Sequence, residues 1–223
     1  MPVNIPDNLV GEGWYWAAWA VWSLLFARTV WHAPWGRLKD GEHLNVWLGM
    51  VVLLILVWSL KAGIKPGLGF HLLGATVFVL SFGPHLAFVG LSIVTAGITL
   101  NGAAGPFAFA LNALLLAGLG VAFSHLLFRS LSSVLPRHFF VYIFINGFLA
   151  AALTIIAVGL CVTIFLAALG VYEWDYLFTE YFPYFFLLAF SEAWLSGMLM
   201  TLFVIYRPNW VVTFDDSRYL TNK

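Results

Sequence analysis

Long apolar runs broken by short polar stretches dominate the chain, and their lengths set the first expectation. A membrane-spanning helix needs roughly 20 mostly apolar residues, within about 17 to 25. Seven segments meet or approach that requirement, at about 14–31, 44–61, 67–82, 85–100, 106–128, 138–160 and 182–206. The third is short, and Gly83-Pro84 is expected to end it sharply, because proline removes a backbone donor and clashes with the preceding turn. The sixth continues apolar to about Val171, which as one straight helix would be roughly 50 Å long. It is therefore expected to tilt, to break near Gly159, or to project beyond the bilayer.

Composition supports the same class. Of 223 residues, 62% are hydrophobic and only 9% charged, whereas about 25% are charged in an ordinary soluble domain. No linker, low-complexity tract or internal repeat divides the chain, so residues 1–223 read as a single transmembrane domain. The net charge of zero implies no nucleic-acid surface. The single cysteine, Cys161, lies in an apolar run and reads as a packing residue. The opening "MPVNIPDNLVGEG" has Asp7 and Glu12 but no Lys or Arg, so it lacks the basic region of a cleaved signal peptide. The first apolar segment is expected to remain in the mature protein.

Basic residues orient the bundle, because cytoplasmic loops carry the excess of Lys and Arg. With the N-terminus outside, Arg28, Arg37, Lys39, Arg129, Arg137, Arg207, Arg218 and Lys223 all fall on the inner side, and only Lys61 and Lys65 on the outer. The expected fold is thus an all-α integral membrane protein of about seven transmembrane helices, N-terminus outside and C-terminus cytoplasmic. In that frame His71 lies near the outer face and His85 near the inner turn. Fourteen helical residues would separate them by roughly 21 Å, too far to share a metal.

Ionisable residues at membrane depth cost roughly 2.5–3.5 kcal/mol on insertion scales and usually face the bundle interior. Glu192, in "FLLAFSEAWLSGM", and Asn112, in "FAFALNALLLAG", both enter from the outer side, as do His71 and the first residues of the chain. These groups can converge at one depth as a site for a small polar or cationic ligand, with imidazole and carboxylate as partners. The alternative stays open that Asn112 and Glu192 merely hydrogen-bond between helices and His71 donates to a carbonyl. His32, His43, His85, His125 and His138 belong to the inner side, and His125 and His138, which flank one inner loop with Arg129 and Arg137, read as solvated interface. Met198 and Met200 face different sides of one helix, which disfavours a methionine ladder. No Ser-His-Asp, HExxH, CxxC or Walker pattern appears.

Four blocks in order carry a family resemblance: "NIPDNLV" (4–10), "GFHLLGAT" (69–76) with Gly83-Pro84, "LNGAAGPFAFALNALLL" (100–116), and "SEAWLSGMLMTLFVIYRP" (191–208). Together they resemble the cobalt/nickel transport permeases, the membrane substrate-binding components of energy-coupling-factor metal importers. The resemblance implies seven helices with an outside N-terminus and makes His71 a ligand of the substrate metal. That family completes its site with the amino terminus and a histidine in second position. Here Asn4 stands where that histidine would be, two further residues precede it, and residue 2 is proline. An amide is a poorer ligand than imidazole for nickel or cobalt.

The resulting expectation is a non-enzymatic substrate-binding component in a bacterial inner membrane, with Asn4, His71, Asn112 and Glu192 as substrate-site residues and His71 as metal ligand. No intrinsic cofactor is expected, only a bound transition metal. Membrane lipid, a transmembrane coupling protein and cytoplasmic ATPases would be its partners. The competing expectation is a structural or assembly subunit packed among other membrane subunits. An intramembrane enzyme using Glu192 as acid or base, with His71 as its second group, ranks third.

Overall fold

The computed structural model describes residues 4–60, 62–102 and 104–219. Its rods are α1 (Glu12–His32), α2 (Gly41–Ser59), α3 (Ala75–Leu100), α4 (Phe109–Val134), α5 (Phe139–Ala168), the short α6 (Trp174–Glu180) and α7 (Tyr184–Tyr206). Among the described residues, α2, α3, α4, α5 and α7 are long and apolar enough to cross a membrane. Helix α1, with 21 residues, matches them in length but carries Glu12, Arg28 and His32. The chain is an all-α multi-pass membrane protein with one small addition, a two-stranded antiparallel hairpin of β1 (Ala62–Lys65) and β2 (Leu68–Phe70).

Helix α3 is not one straight rod. Gly83 has φ 78° and ψ 168°, a conformation essentially reserved for glycine, and Pro84 follows it. A Cβ on Gly90 would lie 2.6 Å from the Phe78 ring, although twelve helical residues would put the two roughly 18 Å apart. Gly74 likewise abuts Leu54 while Gly97 abuts Ile55, its neighbour on α2. The chain must therefore double back at Gly83, so that 75–82 and 84–100 form two antiparallel arms. With α1, α2, α4, α5 and α7, these arms make seven rods among the described residues.

The sequence places the third segment too early. Residues 68–70 are strand, and the helix begins only at Ala75. Pro66 and Gly67 make the hairpin turn, and Gly74 takes φ 68°, a left-handed start that glycine alone adopts without strain. The sixth segment departs differently: α5 runs unbroken through Gly159, whose missing side chain admits the Phe185 ring of α7. Its irregularity is a π-helical stretch at Tyr142–Leu149. At 30 residues α5 is about 45 Å long, so it exceeds a hydrocarbon layer of about 30 Å.

Both arms of α3 lie at the centre, with Phe78, Leu86, Leu91 and Ile98 fully buried. A ladder of hydroxyls ties that centre to its neighbours: Thr76 lies 2.9 Å from Ser124 of α4, and Ser124 lies 3.2 Å from Thr154 of α5. Such bonds add specificity where apolar packing alone has little to choose between rotations. Trp16, Leu24, Trp31 and Phe190 face outward, as lipid-facing residues do.

The two ends of the bundle differ. At one, Arg37 and His43 both bond the Asn209 carbonyl (2.9 and 3.0 Å), Trp210 donates to Glu42 (2.7 Å), and the Val212 amide donates to the Ser81 carbonyl (3.1 Å). At the other lie residues 4–10, the hairpin and α6. There Tyr172 donates to the Pro66 carbonyl (2.8 Å), and the Lys65 ammonium sits 3.8 Å from the centre of the Tyr176 ring. Lys61, Leu220 and Lys223 lie outside the described residues.

Candidate metal-binding site

The loop that carries His71 is held by a buried carboxylate. Glu192 projects from α7 with 2% exposure and accepts two backbone hydrogen bonds, Leu73 N–H to Oε2 and Gly74 N–H to Oε1, each 2.7 Å. The Ser196 hydroxyl reaches Oε1 at 3.5 Å. Charge-assisted bonds of this kind are what make a buried carboxylate tolerable. Glu192 therefore grips the turn directly after His71, with both oxygens committed. The left-handed Gly74 is part of the grip, since a Cβ there would come within 2.5 Å of Leu54.

Held this way, His71 is 7% exposed and stacked on Trp58, with ring centres 4.4 Å apart. Its Nδ1 lies 3.1 Å from the Leu72 carbonyl. A carbonyl can only accept, so Nδ1 carries the proton and the Nε2 lone pair is free. Among the described residues Nε2 is buried without a partner, as is the indole N–H of Trp58. Burial also pushes the imidazole down to about 4, so it stays neutral and able to ligate. A groove of about 290 Å³, lined by Val57, Leu60, Phe70, Leu188 and Ser191, opens beside it.

A second clamp holds the N-terminal segment. Asn112 of α4 reads both backbone groups of Ile5, its Oδ1 accepting the Ile5 N–H (2.8 Å) and its Nδ2 donating to the Ile5 carbonyl (3.0 Å). Asp7 accepts from the Ala108 N–H at 2.7 Å, and its carboxylate fills the space where a side chain on Gly105 would go. The Tyr15 hydroxyl donates to the Pro6 carbonyl (2.6 Å) and accepts from the Leu9 and Val10 amides. Asn4 is thereby fixed at 3% exposure, with neither its Oδ1 nor its Nδ2 partnered among the described residues.

The four residues singled out from the sequence thus divide into two kinds. Asn4 and His71 present unpartnered buried groups, while Asn112 and Glu192 hold the backbones that carry them. All belong to the same end of the bundle, where Leu9 and Pro6 pack on the hairpin turn at Gly67 and where Gly120 of α4 abuts Leu73. His85 lies at the opposite end, its ring 6.4 Å from that of His32, so His71 and His85 remain separate. Among the described residues no group of three or more His, Cys, Asp or Glu side chains is placed to hold a metal. The amino terminus belongs to residues 1–3, outside the described residues. Trp58, Asp7 and Tyr15 were not singled out from the sequence. Asp7 sits inside the "NIPDNLV" block, but nothing in the pattern of α2 distinguishes Trp58 from the other tryptophans.

Fold and geometry together define a polytopic helical membrane bundle with a buried imidazole at one end. Residues 4–210 match the family model CbiM, the cobalt uptake substrate-specific transmembrane region. The chain belongs to that family and is a membrane component of metal uptake. No curated protein matches it in sequence. In fold it is similar to a solved structure described as the crystal structure of a truncated transition metal transporter, with a TM-score of 0.75 over 91% of this chain and 99% of that one. At 14% identity that similarity is one of fold.

Proposed function

We propose that the chain is the substrate-binding component of an energy-coupling-factor-type importer and captures a transition-metal ion at the end that carries Asn4 and His71. The observation that supports this most directly is that Asn4 and His71, at the same end of the bundle, each present a buried group with no partner among the described residues, each on a backbone held by its own polar clamp. Unsatisfied buried polar atoms are costly unless something else binds them. The Nε2 lone pair of His71 is a borderline-soft donor that suits cobalt, nickel, copper or zinc, and the Asn4 amide oxygen is a weaker, harder one. Asn112 and Glu192 act through the backbones they hold, as outer-shell groups do in metal sites. Remaining coordination positions are filled by water. A transmembrane coupling protein and cytoplasmic ATPases would supply the energy, and a bacterial inner membrane with the N-terminus outside gives the direction.

Elemental analysis by mass spectrometry tests this, on protein purified without chelator and exposed to nickel, cobalt, copper and zinc. The wild type is expected to retain one ion per chain, and a folded His71→Ala variant to lose it. Absence of stoichiometric metal in both proteins would overturn the reading in favour of a packing subunit.

A further inference from the structure

At the end opposite His71, the surface between α1 and α4 opens into a slot of about 350 Å³. The two helices meet closely at the other end, where Trp19 and Trp22 pack on Phe109 with ring centres 5.4 and 5.0 Å apart. Toward the basic end Leu25 and Thr29 of α1 form one wall and Val121, Ala122 and His125 of α4 the other. The floor is Phe88, with Pro84 and His85 from the reversal in α3. Leu25 is 42% exposed, so the slot faces the surroundings of the bundle and not its core.

Chemistry changes along its length. The upper part is apolar. The lower part gathers His85 and His125, with Arg129 one helical turn beyond His125 and so on the same face. Arg129 and His85 both lie within electrostatic range of His125. The His32 ring stacks on His85, and Arg28 lies one turn before it, its carbonyl bonded to His32 Nδ1 at 2.8 Å. Among the described residues no carboxylate lines the slot. The acidic residues Asp40 and Glu42 are engaged elsewhere, with His43 and with Trp210 and Arg207.

We infer that this slot is a binding site for one anionic phospholipid. An acyl chain lies between α1 and α4 against Phe88, and the headgroup phosphate sits among His85, His125 and Arg129. An apolar channel ending in two imidazoles that can donate hydrogen bonds, with the Arg129 guanidinium beside them, matches a lipid in both halves. Anionic lipids concentrate in the cytoplasmic leaflet, the side that the basic residues select.

Native mass spectrometry of delipidated full-length protein tests the site, titrated with phosphatidylglycerol or with phosphatidylcholine of identical acyl chains. One phosphatidylglycerol is expected to bind about fivefold more tightly than phosphatidylcholine, the scale that one basic side chain near a membrane surface provides. The triple variant His85→Gln/His125→Gln/Arg129→Gln should lose that preference. A second variant, Ala122→Trp, fills the apolar half from an exposed position and should weaken both lipids. Equal binding of the two lipids by the wild type would overturn the proposal, as would a preference that survives the triple variant. Full displacement of the lipid by millimolar inorganic phosphate would also overturn it, by reducing the site to an anion site.

Discussion

A carboxylate with 2% exposure survives in an apolar bundle only if its oxygens are bonded, and Glu192 obtains both of its bonds from one turn of backbone. Glu192→Gln keeps the size but offers one acceptor and one donor to two N–H groups. Leaving one buried amide unpaired costs roughly 1–3 kcal/mol. The variant is expected to melt lower and to show faster amide hydrogen exchange at Leu73 and Gly74; unchanged exchange there would refute the clamp. His71 makes a separate pH prediction. Its neutral form is favoured in the fold, with a value of about 4, against about 6.5 in an unfolded chain. Between those values the unfolded chain takes up a proton that the folded one refuses. Stability present above about 6.5 is therefore lost as the pH falls toward 4, at up to about 1.4 kcal/mol per pH unit. Thermal melts across this range should fall more steeply for the wild type than for His71→Gln. Sequence reasoning could select Glu192 and Asn112 because a polar side chain in a long apolar run is conspicuous. That both bond backbone depends on contacts more than one hundred residues apart in the chain.

Among the elements, the reversal at Gly83 is the least replaceable. Its φ and ψ suit glycine alone, and the turn brings Phe78 onto Gly90. Gly83→Ala should cost roughly 1–3 kcal/mol, seen as a lower melting temperature in detergent; an unchanged melt would mean that the turn can relax. The Gly-Pro pair made this turn legible in the sequence, and the bounds of α2 and α7 followed from hydropathy to within three residues, whereas α4 runs on to Val134, past the expected end at 128. The start of α3 did not. Leu68, Phe70 and Leu72 are as apolar as a helix would be, and hydropathy alone cannot distinguish a buried strand and loop from a short helix. The π-helical stretch in α5 was equally hidden, because its composition is that of ordinary helix.

At the scale of the molecule, charge separates by end. Arg37 and Arg207 meet through Asn209, Trp210 and Glu42, Arg129 lies beside His125, and Lys65 sits at the other end with α6. The rule that cytoplasmic flanks are basic then orients the whole bundle. With Cys161 replaced by serine, a cysteine at Asn101 is expected to react with a membrane-impermeant maleimide on intact cells, and one at Arg137 only after permeabilisation. The reverse pattern would invert the topology and move the His71 end to the cytoplasm. The distribution of charge was readable from sequence because it depends only on segment order, whereas the slot between α1 and α4 depends on how two helices diverge.

The stack of Trp58 on His71 has an optical consequence. Trp58 is one of 11 tryptophans and is fully shielded from solvent, with its ring centre 4.4 Å from the imidazole. An open-shell ion on Nε2 would quench an indole at that range, whereas a closed-shell ion such as zinc would leave its emission largely intact. The protein thus carries a native fluorophore against its imidazole, one whose brightness would distinguish the electronic character of the ion it holds.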